Sequence, residues 1–383
     1  MTQQISSDLG PNKGLVGRPG SRHELVTPCL VVDRDRLMAN MRRAMRIAKD
    51  AGMELWPHAK THKCASLAKL QLENGAGRIC VANLHEAECL AANGVDRLLI
   101  TSAVQGENKI GRLAALAGRC PDLIVVVDGH ENARAVDAAA SQRSVTIDAL
   151  IDVDIGMGRT GVPTLEMVSD LAARMLSAGA LRLRGVQGYS GRVQHIHDFA
   201  ERRRVYGAHL EVLARAGDVL RGLGIADPVV TGGGTGTLAI DASTGIVRQQ
   251  QSGSYVFMDV QYAPVDLTED GSEFFEPSLS LRASVVNAYV KGQVTLDAGT
   301  KSLATDGPKP VVSRGPAQAT YEFFGDEHGR LVLADGAVPP GRGEAVELVT
   351  PHCDPTVNLH DFLHVVSGDT LVDIWPIEGR GSL

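Results

Sequence analysis

The sequence predicts a (β/α)8 TIM barrel followed by a smaller, mostly antiparallel β domain. In the first part, eight short runs rich in β-branched residues alternate with stretches of helical periodicity over about 200 residues. Beyond about residue 265, alternating or apolar runs are separated by Gly, Asp and Pro turns, as in antiparallel sheets. A doubly wound sheet is the alternative for the first part, because a miscount of one or two strands would exchange the two folds.

The helical stretches between the strands are recognised by their caps and apolar stripes. In the first of them Asp33 is a plausible N-cap, and Gly52 is a plausible stop. Leu37, Met41 and Met45 recur every fourth position between these two residues. The barrel strands are predicted near 54–58, 78–82, 97–101, 122–127, 147–153, 183–188, 228–231 and 251–257.

We expect three parts along the chain: a flexible N-terminal arm at 1–24, a barrel at 25–265 and a β domain at 266–383. The first part is polar and rich in glycine, and it lacks the apolar core of a signal peptide. It is therefore predicted to be an arm without regular structure.

Composition excludes several classes of function. The chain has 383 residues, 44% of them hydrophobic, and a net charge of −7 with no basic tract, which argues against a nucleic-acid partner. No apolar run approaches the roughly 20 residues that cross a bilayer, so no membrane association is expected. Six cysteines are scattered without a CxxC pair, as in a reduced cytoplasmic protein.

Lys60 is the first candidate for chemistry, because PHAK follows the first predicted strand. In a (β/α)8 barrel the catalytic groups cluster at the carboxyl ends of the strands. Lysine forms Schiff bases, and local charge can lower its pKa toward the working pH. A solvated loop lysine is the alternative.

TGGGTGT, after the seventh strand, is the clearest anion-binding motif. Successive glycines let backbone N–H groups converge on phosphate oxygens, and threonines add hydroxyl donors. Its spacing is not that of a dinucleotide fingerprint, and no lysine follows as in a P-loop. Gly253 and Ser254, near the eighth strand, would complete a phosphate site of the kind that barrels carry there. A flexible turn is the alternative.

A lysine after strand one and a phosphate loop after strand seven together indicate pyridoxal 5′-phosphate. The lysine would hold the aldehyde and the loop the phosphate. Arg159, in the GMGRTG loop after the fifth strand, would suit the phenolic oxygen of the cofactor, unless it is only a surface residue.

TPHCDPTVNLHD, in the β domain, indicates a metal site. On an extended segment His352 and Asp354 would point the same way and offer one nitrogen and one oxygen ligand. Such a pair favours Mn²⁺ or Mg²⁺ over a thiolate-bound zinc ion. A polar loop with a fortuitous histidine would look similar.

Eight motifs follow one another along the chain: PHAKTHK, GMGRTGV, GVQGYSGRVQH, TGGGTGT, SGSYVFMD, LDAGTKS, DEHG and PHCDPTVNLHD. This series resembles that of the D-threonine aldolases, which are metal-dependent fold-type III pyridoxal phosphate enzymes related to alanine racemase and to D-serine dehydratases. The resemblance runs from about residue 25 to the end and implies an alanine racemase-like barrel with a β domain. It also implies that a strand at 29–33 joins the β domain and that the protein is a homodimer.

The resemblance assigns roles to individual residues. It implies that Lys60, and not Lys63, is the Schiff-base lysine, that Arg159 contacts a cofactor oxygen and that Tyr189 lies near the cofactor ring. It makes His352 and Asp354 the metal ligands, whereas in the dehydratases a cysteine replaces this aspartate. The residues implied at the phosphate are Thr231, Gly233, Gly234, Thr235, Gly236, Gly253, Ser254 and Tyr255.

The implied reaction is retro-aldol cleavage of D-β-hydroxy-α-amino acids, of the D-threonine or D-allothreonine type, to glycine and an aldehyde. His195 is the preferred general base, with His58 and a water at the metal as alternatives. Arg192 would bind a substrate carboxylate or pair with a neighbouring aspartate. The alternative activities are a β-hydroxyaspartate aldolase, which forms glycine and glyoxylate, and a D-serine or 3-hydroxyaspartate dehydratase. A racemase and a non-catalytic pyridoxal phosphate carrier have no use for the metal pair.

Overall fold

Eight parallel strands form one of the two sheets in the computed structural model, which describes residues 9–270 and 275–381. Strands are numbered along the chain from β1 (Cys29–Asp33), and the order in this sheet is β2-β9-β8-β7-β6-β5-β4-β3. Its strands are β2 (Glu54–Leu55), β3 (Ile79–Val81), β4 (Leu98–Ile100), β5 (Ile124–Val127), β6 (Ile147–Asp152), β7 (Leu181–Gly188), β8 (Val229–Gly232) and β9 (Gln249–Gln250).

The sheet closes into a barrel just beyond β2. A parallel bridge joins His58 to Cys80 of β3, and the Cys80 N–H donates to Pro57 O at 2.8 Å. On the other side the His58 N–H donates to Ser252 O at 3.0 Å. The segment that carries Lys60 therefore follows the closing strand at its carboxyl end, where barrel enzymes hold their catalytic groups.

Helices alternate with these strands and cover the barrel. The first begins after Asp33, whose carboxylate accepts a hydrogen bond from Arg36 N at 3.1 Å, as the sequence predicts for an N-cap. No helix in the described ranges has both the length and the apolar character of a membrane span. The helices are α1 (Arg34–Asp50), α2 (Ala65–Glu73), α3 (Leu84–Ala92), α4 (Glu107–Ala117), α5 (His130–Gln142), α6 (Leu165–Met175), α7 (Phe199–Gly222) and α8 (Leu238–Thr244).

The second sheet has nine strands and is mostly antiparallel, with the order β11-β14-β13-β12-β15-β10-β1-β16-β17. Strand β1 lies between β10, which is antiparallel to it, and β16, which is parallel. A further pairing of β10 with β11 curls the sheet into a barrel. The elements are β10 (Leu279–Asn287), β11 (Gln293–Leu296), β12 (Val311–Arg314), β13 (Thr320–Phe323), β14 (Gly329–Val332), β15 (Ala345–Val349), helix α9 (Cys353–Val357), β16 (Phe362–Ser367) and β17 (Thr370–Pro376).

The predicted fold class is confirmed: a parallel eight-stranded barrel precedes a mostly antiparallel β domain. The boundary predicted at 265 falls between β9 and β10. Buried residues of α1 and of the β domain share one apolar cluster, so the two parts pack against each other.

The eighth barrel strand was predicted at 251–257, but β9 ends at Gln250 and Ser254–Val256 is a 3-10 turn. The buried Gln250 side chain accepts from Ser252 N at 2.8 Å and donates to Gly234 O at 2.8 Å, so it bonds backbone groups that a longer ladder would otherwise pair. The apolar residues of this run are core residues, but they pack from a turn.

The N-terminal segment also differs from the predicted flexible arm. Two 3-10 turns, Lys13–Leu15 and Ser21–Glu24, lie in the described part of the segment. Arg22 is buried and forms two hydrogen bonds to the Glu347 carboxylate, at 3.0 and 2.6 Å. Residues 9–24 are therefore held on the β domain by a buried ion pair, and residues 1–8 lie outside the described ranges.

Candidate active site

Lys60 lies in a 3-10 turn, Ala59–Thr61, directly after the barrel closes. The His58 side chain caps this turn, since its Nδ1 accepts from Lys60 N at 3.3 Å. The Lys60 Nζ group forms an ion pair with the Asp354 carboxylate. The Thr61 hydroxyl donates to the same carboxylate at 3.2 Å. The β domain thus delivers its metal-motif aspartate to the candidate cofactor lysine of the barrel.

The pKa of Lys60 moves in the opposite direction from the one predicted. Burial lowers the pKa of this amine, but the charge and hydrogen bond of Asp354 raise it more, and the net direction is upward. Burial likewise raises the pKa of Asp354, and the Lys60 charge overrides it and holds that pKa well below its usual range. The possibility that local charge depresses this pKa is not realised here, because the Asp354 carboxylate stabilises the ammonium form.

Arg159 and Tyr189 lie together on the loops after β6 and β7. The Arg159 guanidinium is 5.4 Å from the centre of the Tyr189 ring. The Tyr189 phenol is close enough to Lys60 to contribute to the raised pKa of that amine. Three residues that the sequence placed after three different strands therefore surround one space.

The glycine loop after β8 forms a cup of backbone N–H groups together with the turn after β9. Two 3-10 turns, Thr235–Thr237 and Ser254–Val256, begin side by side, and Tyr255 N donates to Thr235 Oγ1 at 3.0 Å. The first N–H groups of such turns have no acceptor inside the turn. In the described ranges the N–H groups of Thr235 and Ser254 have no acceptor elsewhere either. Two donors at adjacent turn N-termini suit a phosphate.

Gln194, which the sequence did not single out, lies behind this cup. Its Oε1 accepts from Gly236 N at 2.9 Å. A Cβ on Gly234 would lie 2.6 Å from that oxygen, and a Cβ on Gly236 would lie 2.3 Å from Gln194 O. The glycines are therefore required by close approach to Gln194. Gly253 is similar, because a Cβ there would lie 2.6 Å from Thr61 Oγ1 in the Lys60 turn.

Two predicted phosphate residues have other partners. The fully buried Thr231 hydroxyl donates to Gln249 O at 2.7 Å and accepts from Gln251 Nε2 at 2.9 Å. The Tyr255 hydroxyl is buried against Gln71 at 3.2 Å. Thr231 therefore holds the base of the glycine loop through its hydroxyl, and Tyr255 bonds Thr235 of that loop through its backbone N–H.

His352 and Asp354 converge as predicted, but the segment is not extended. His352 is the N-cap of α9, and Asp354 lies in its first turn. Pro355 follows there, where the missing N–H costs no helical hydrogen bond. His352 Nε2 and Asp354 Oδ2 are 4.0 Å apart, which is within twice the ~2.1 Å length of a metal–ligand bond. The pair can share one ion.

Asp306, a residue that the sequence did not indicate, orients His352. Its Oδ2 is 2.9 Å from His352 Nδ1, which leaves Nε2 facing Asp354. Metal-ligating histidines commonly hydrogen-bond a carboxylate through the second ring nitrogen. In the described ranges no three His, Cys, Asp or Glu side chains form a ready metal site.

Cys353 does not offer a thiolate to this site. It is fully buried, and burial raises the pKa of its thiol well above the usual value. Its backbone N–H donates to Asp259 at 2.8 Å, and its Sγ is 3.4 Å from Asp354 Oδ2. The aspartate is the residue of this motif that is presented to a cation.

The two histidines proposed as general bases, His58 and His195, differ in whether a ring nitrogen is free to accept a proton. Both nitrogens of His58 are used, because Nδ1 accepts from Lys60 N and Nε2 lies 3.1 Å from Thr101 Oγ1. Burial lowers the pKa of His58 to about 3. His195 has contact with solvent, but Tyr262 covers one side of its ring, with 4.7 Å between the ring centres. This partial burial and the nearby His352 and Lys60 lower the pKa of His195, which favours the neutral imidazole that can accept a proton.

Comparisons with known proteins agree with this geometry. Residues 32–259 match the model of the family described as alanine racemase, N-terminal domain, and residues 278–366 match a serine dehydratase domain. A D-threonine aldolase of Arthrobacter sp is 37% identical over 382 residues, which cover 100% of this chain and 99% of that protein. A 3-hydroxy-D-aspartate aldolase of Paracoccus denitrificans is 34% identical over 94% of this chain and 93% of its own length.

A solved structure extends the agreement to three dimensions. The crystal structure of D-threonine aldolase from Filomicrobium marinum superposes with a TM-score of 0.89 at 36% identity, covering 94% of this chain and 97% of that one. The barrel and the β domain thus correspond over nearly the whole length of both chains. The chain belongs to the D-threonine aldolase family, whose barrel is the alanine racemase N-terminal domain, and it is a carbon–carbon lyase of that family.

Proposed function

We propose that this lyase uses pyridoxal 5′-phosphate and a divalent metal ion, Mn²⁺ or Mg²⁺, to cleave D-β-hydroxy-α-amino acids to glycine and an aldehyde. The observation that carries the proposal is the contact between Lys60 of the barrel and Asp354 of the metal motif. A β-hydroxy amino acid has its amino group and its hydroxyl on adjacent carbons. One site must therefore hold a group for the nitrogen next to a group for the oxygen.

The residues of the site fit both the phosphate group and the aldehyde-bearing ring of pyridoxal phosphate. The cup formed by the Thr235 and Ser254 turns offers backbone N–H donors to a phosphate. Gly253 packs on the Lys60 turn, so the cup and the amine are neighbours. Arg159 and Tyr189 would flank the ring. When bound, the cofactor supplies an electron sink for the pair released by bond cleavage.

The metal would be held by His352 and Asp354, with Asp306 fixing the histidine ring. When bound, the ion lowers the pKa of the substrate hydroxyl, as metals do for water. One nitrogen and one oxygen donor, with a buried protonated thiol beside them, suit a harder ion than zinc.

His195 is proposed as the base that takes the hydroxyl proton at one of its ring nitrogens. Its neutral imidazole lies against Tyr262 on the metal side of the site. The Cα–Cβ bond then breaks, the hydroxyl oxygen becomes the aldehyde oxygen, and Cα receives a proton to give glycine. The Cα–H bond of the substrate stays intact throughout.

Dehydration is the second candidate reaction, favoured by the match of residues 278–366 to the serine dehydratase domain. It would instead remove the Cα proton and expel the hydroxyl group. The aspartate at position 354 and the buried Cys353 support cleavage, since a thiolate at this site is absent from the described geometry.

We also propose a cytoplasmic homodimer. All six cysteines are free, as in a reduced compartment. Gel filtration with light scattering would measure the mass, and a monomer at working concentration would contradict the dimer.

Product analysis tests the proposed reaction. The holoenzyme is supplied with D-threonine, D-serine or D-3-hydroxyaspartate, with and without EDTA. Glycine should appear with acetaldehyde, formaldehyde or glyoxylate, and EDTA should stop its formation. Ammonia with a 2-oxo acid, and no glycine, would identify a dehydratase.

A further inference from the structure

Arg192 lies in the turn that follows β7, and its guanidinium has no partner in the part of the chain that the structure describes. It is exposed, and in the described ranges it forms no ion pair and no side-chain hydrogen bond. The aspartate pairing that the sequence allowed is therefore not seen. Some exposed arginines pair with glutamates, as Arg112 and Arg204 do, and others, such as Arg134, have no such pair in the described ranges. What distinguishes Arg192 is its place in the turn that also carries His195.

The turn that carries Arg192 fixes its direction. Arg192–His195 is a 3-10 turn, in which residues three apart lie on the same face. Arg192 therefore shares a face with His195, the proposed base. Gln194, on another face, bonds the phosphate loop at Gly236. The turn thus separates the phosphate cup from the side on which Arg192 and His195 lie.

That side is the metal side. The His195 ring packs on Tyr262, whose backbone N–H donates to Asp259 Oδ1 at 3.1 Å. The second oxygen of Asp259 accepts from Cys353 N at 2.8 Å, and Cys353 lies between the two proposed metal ligands. The segment with Tyr262 also runs along the metal motif, because Gln261 N donates to Pro351 O at 3.2 Å.

The geometry of the substrate determines what reaches Arg192. The β-carbon carries both the hydroxyl and the side-chain substituent, so a hydroxyl held at the metal and His195 places the substituent beside it. A carboxylate there can pair with a guanidinium in the two-pronged manner that arginine favours. A methyl group there would meet an exposed charge and gain little.

We infer that Arg192 receives the side-chain carboxylate of the substrate, so that this lyase prefers β-hydroxy amino acids with an acidic side chain, such as 3-hydroxyaspartate, over those with an alkyl side chain. The inference rests on the proposed function and narrows its substrate class. Arg192 acts on binding and specificity, whereas His195 handles the proton.

Two ligands that lack the hydroxyl, and so cannot be cleaved, separate the side-chain carboxylate from the α-carboxylate. D-aspartate carries both groups, and D-2-aminobutyrate carries only the second. Calorimetric titration of the holoenzyme gives both dissociation constants. Arg192→Gln should weaken D-aspartate on the order of 10- to 100-fold, the loss expected for a hydrogen-bonded charge, and leave D-2-aminobutyrate unchanged. Arg192→Lys should recover part of the loss.

Arg134→Gln is the matched control, since Arg134 is an exposed arginine on α5, an outer helix. It should change neither constant. In turnover, Arg192→Gln should raise the KM for D-3-hydroxyaspartate and leave the KM for D-threonine unchanged. Equal weakening of both ligands would show that Arg192 reads the α-carboxylate, and unchanged D-aspartate binding would show that it reads neither; either result overturns the inference. Failure of the unmodified holoenzyme to form glycine from any β-hydroxy amino acid would instead overturn the proposed function.

Discussion

The Lys60 ammonium group and the Asp354 carboxylate form an ion pair although 294 residues separate them in sequence. One residue belongs to the barrel and the other to the first turn of α9 in the β domain. In the proposed reaction Lys60 holds the cofactor that carries the substrate nitrogen and Asp354 holds the metal that binds the substrate hydroxyl. These two groups stand on adjacent carbons, so the two residues must lie close together.

Lys60 should be the residue that becomes covalently linked to pyridoxal phosphate. Borohydride reduction of the loaded protein, followed by peptide mass spectrometry, should locate the cofactor on Lys60, and Lys60→Ala should abolish the label. Lys63 is the matched control: its Nζ is held by Glu86 Oε1 at 2.5 Å, away from Asp354. Lys63→Ala should keep the label but lower Tm, since it leaves Glu86 buried without its cation. A label on Lys63 would refute the assignment.

Asp354 should be needed for the metal and dispensable for the cofactor. Titration of the loaded protein with Mn²⁺ should show no tight binding in Asp354→Asn, because one of two ligands loses its charge. The cofactor should remain bound, as its visible absorbance will show. Cys353→Ala should bind Mn²⁺ like the unmodified protein, since the thiol is buried and protonated. If the cysteine variant loses the metal as completely as the aspartate variant, the site is a zinc–thiolate site.

Asp306→Ala should weaken Mn²⁺ binding on the order of 10- to 100-fold, the usual effect of removing a carboxylate that orients a metal histidine. Asp306 is exposed, so the change should leave Tm nearly the same. Asp335→Ala removes another exposed aspartate of the β domain and serves as the control. Equal Mn²⁺ affinity in the two variants would show that the hydrogen bond to His352 is incidental.

The buried Asp241 should make stability depend on pH. Burial raises the pKa of this carboxyl to about 7. Thr237 Oγ1 and Gln250 Nε2 lie 3.0 and 3.3 Å from Oδ2, and the buried Tyr206 hydroxyl also faces this carboxyl. Because the folded pKa exceeds the ordinary value, the protonated form is favoured by folding. Its contribution is complete below about pH 4 and is lost as pH rises through about 7.

Asp241→Asn keeps the shape and removes the titration. The difference in free energy of unfolding between this variant and the unmodified protein should move in favour of the variant from pH 5 to pH 8, as measured by urea unfolding. A constant difference over that range would show that Asp241 does not titrate near neutrality.

The sequence located candidate site residues wherever a reactive or anion-binding residue directly follows a predicted strand. Lys60, Arg159 and the TGGGTGT loop each follow a strand, and parallel strands bring their carboxyl ends to one face. This rule was enough to predict the barrel and to place the candidate residues on one face of it. The position of the eighth strand was predicted wrongly, because the Gln250 side chain bonds the glycine loop and the residues after it form a turn.

Residues whose roles depend on distant partners could not be predicted. Asp306 meets His352 across 46 residues, Gln194 meets Gly236 across 42, and no local pattern encodes either contact. The raised pKa of Lys60 has the same origin, since its cause lies in the other domain. Pro355 was a usable signal: a proline three residues after His352 is as compatible with the first turn of a helix as with an extended segment.

The fate of the α-hydrogen distinguishes cleavage of the Cα–Cβ bond from dehydration. D-threonine carrying deuterium at Cα is incubated with the holoenzyme and Mn²⁺, and the products are analysed by mass spectrometry. Cleavage between Cα and Cβ leaves the bond from Cα to deuterium intact, so we expect acetaldehyde together with glycine that retains the deuterium. Ammonia and 2-oxobutyrate, with the deuterium released to water, would contradict it.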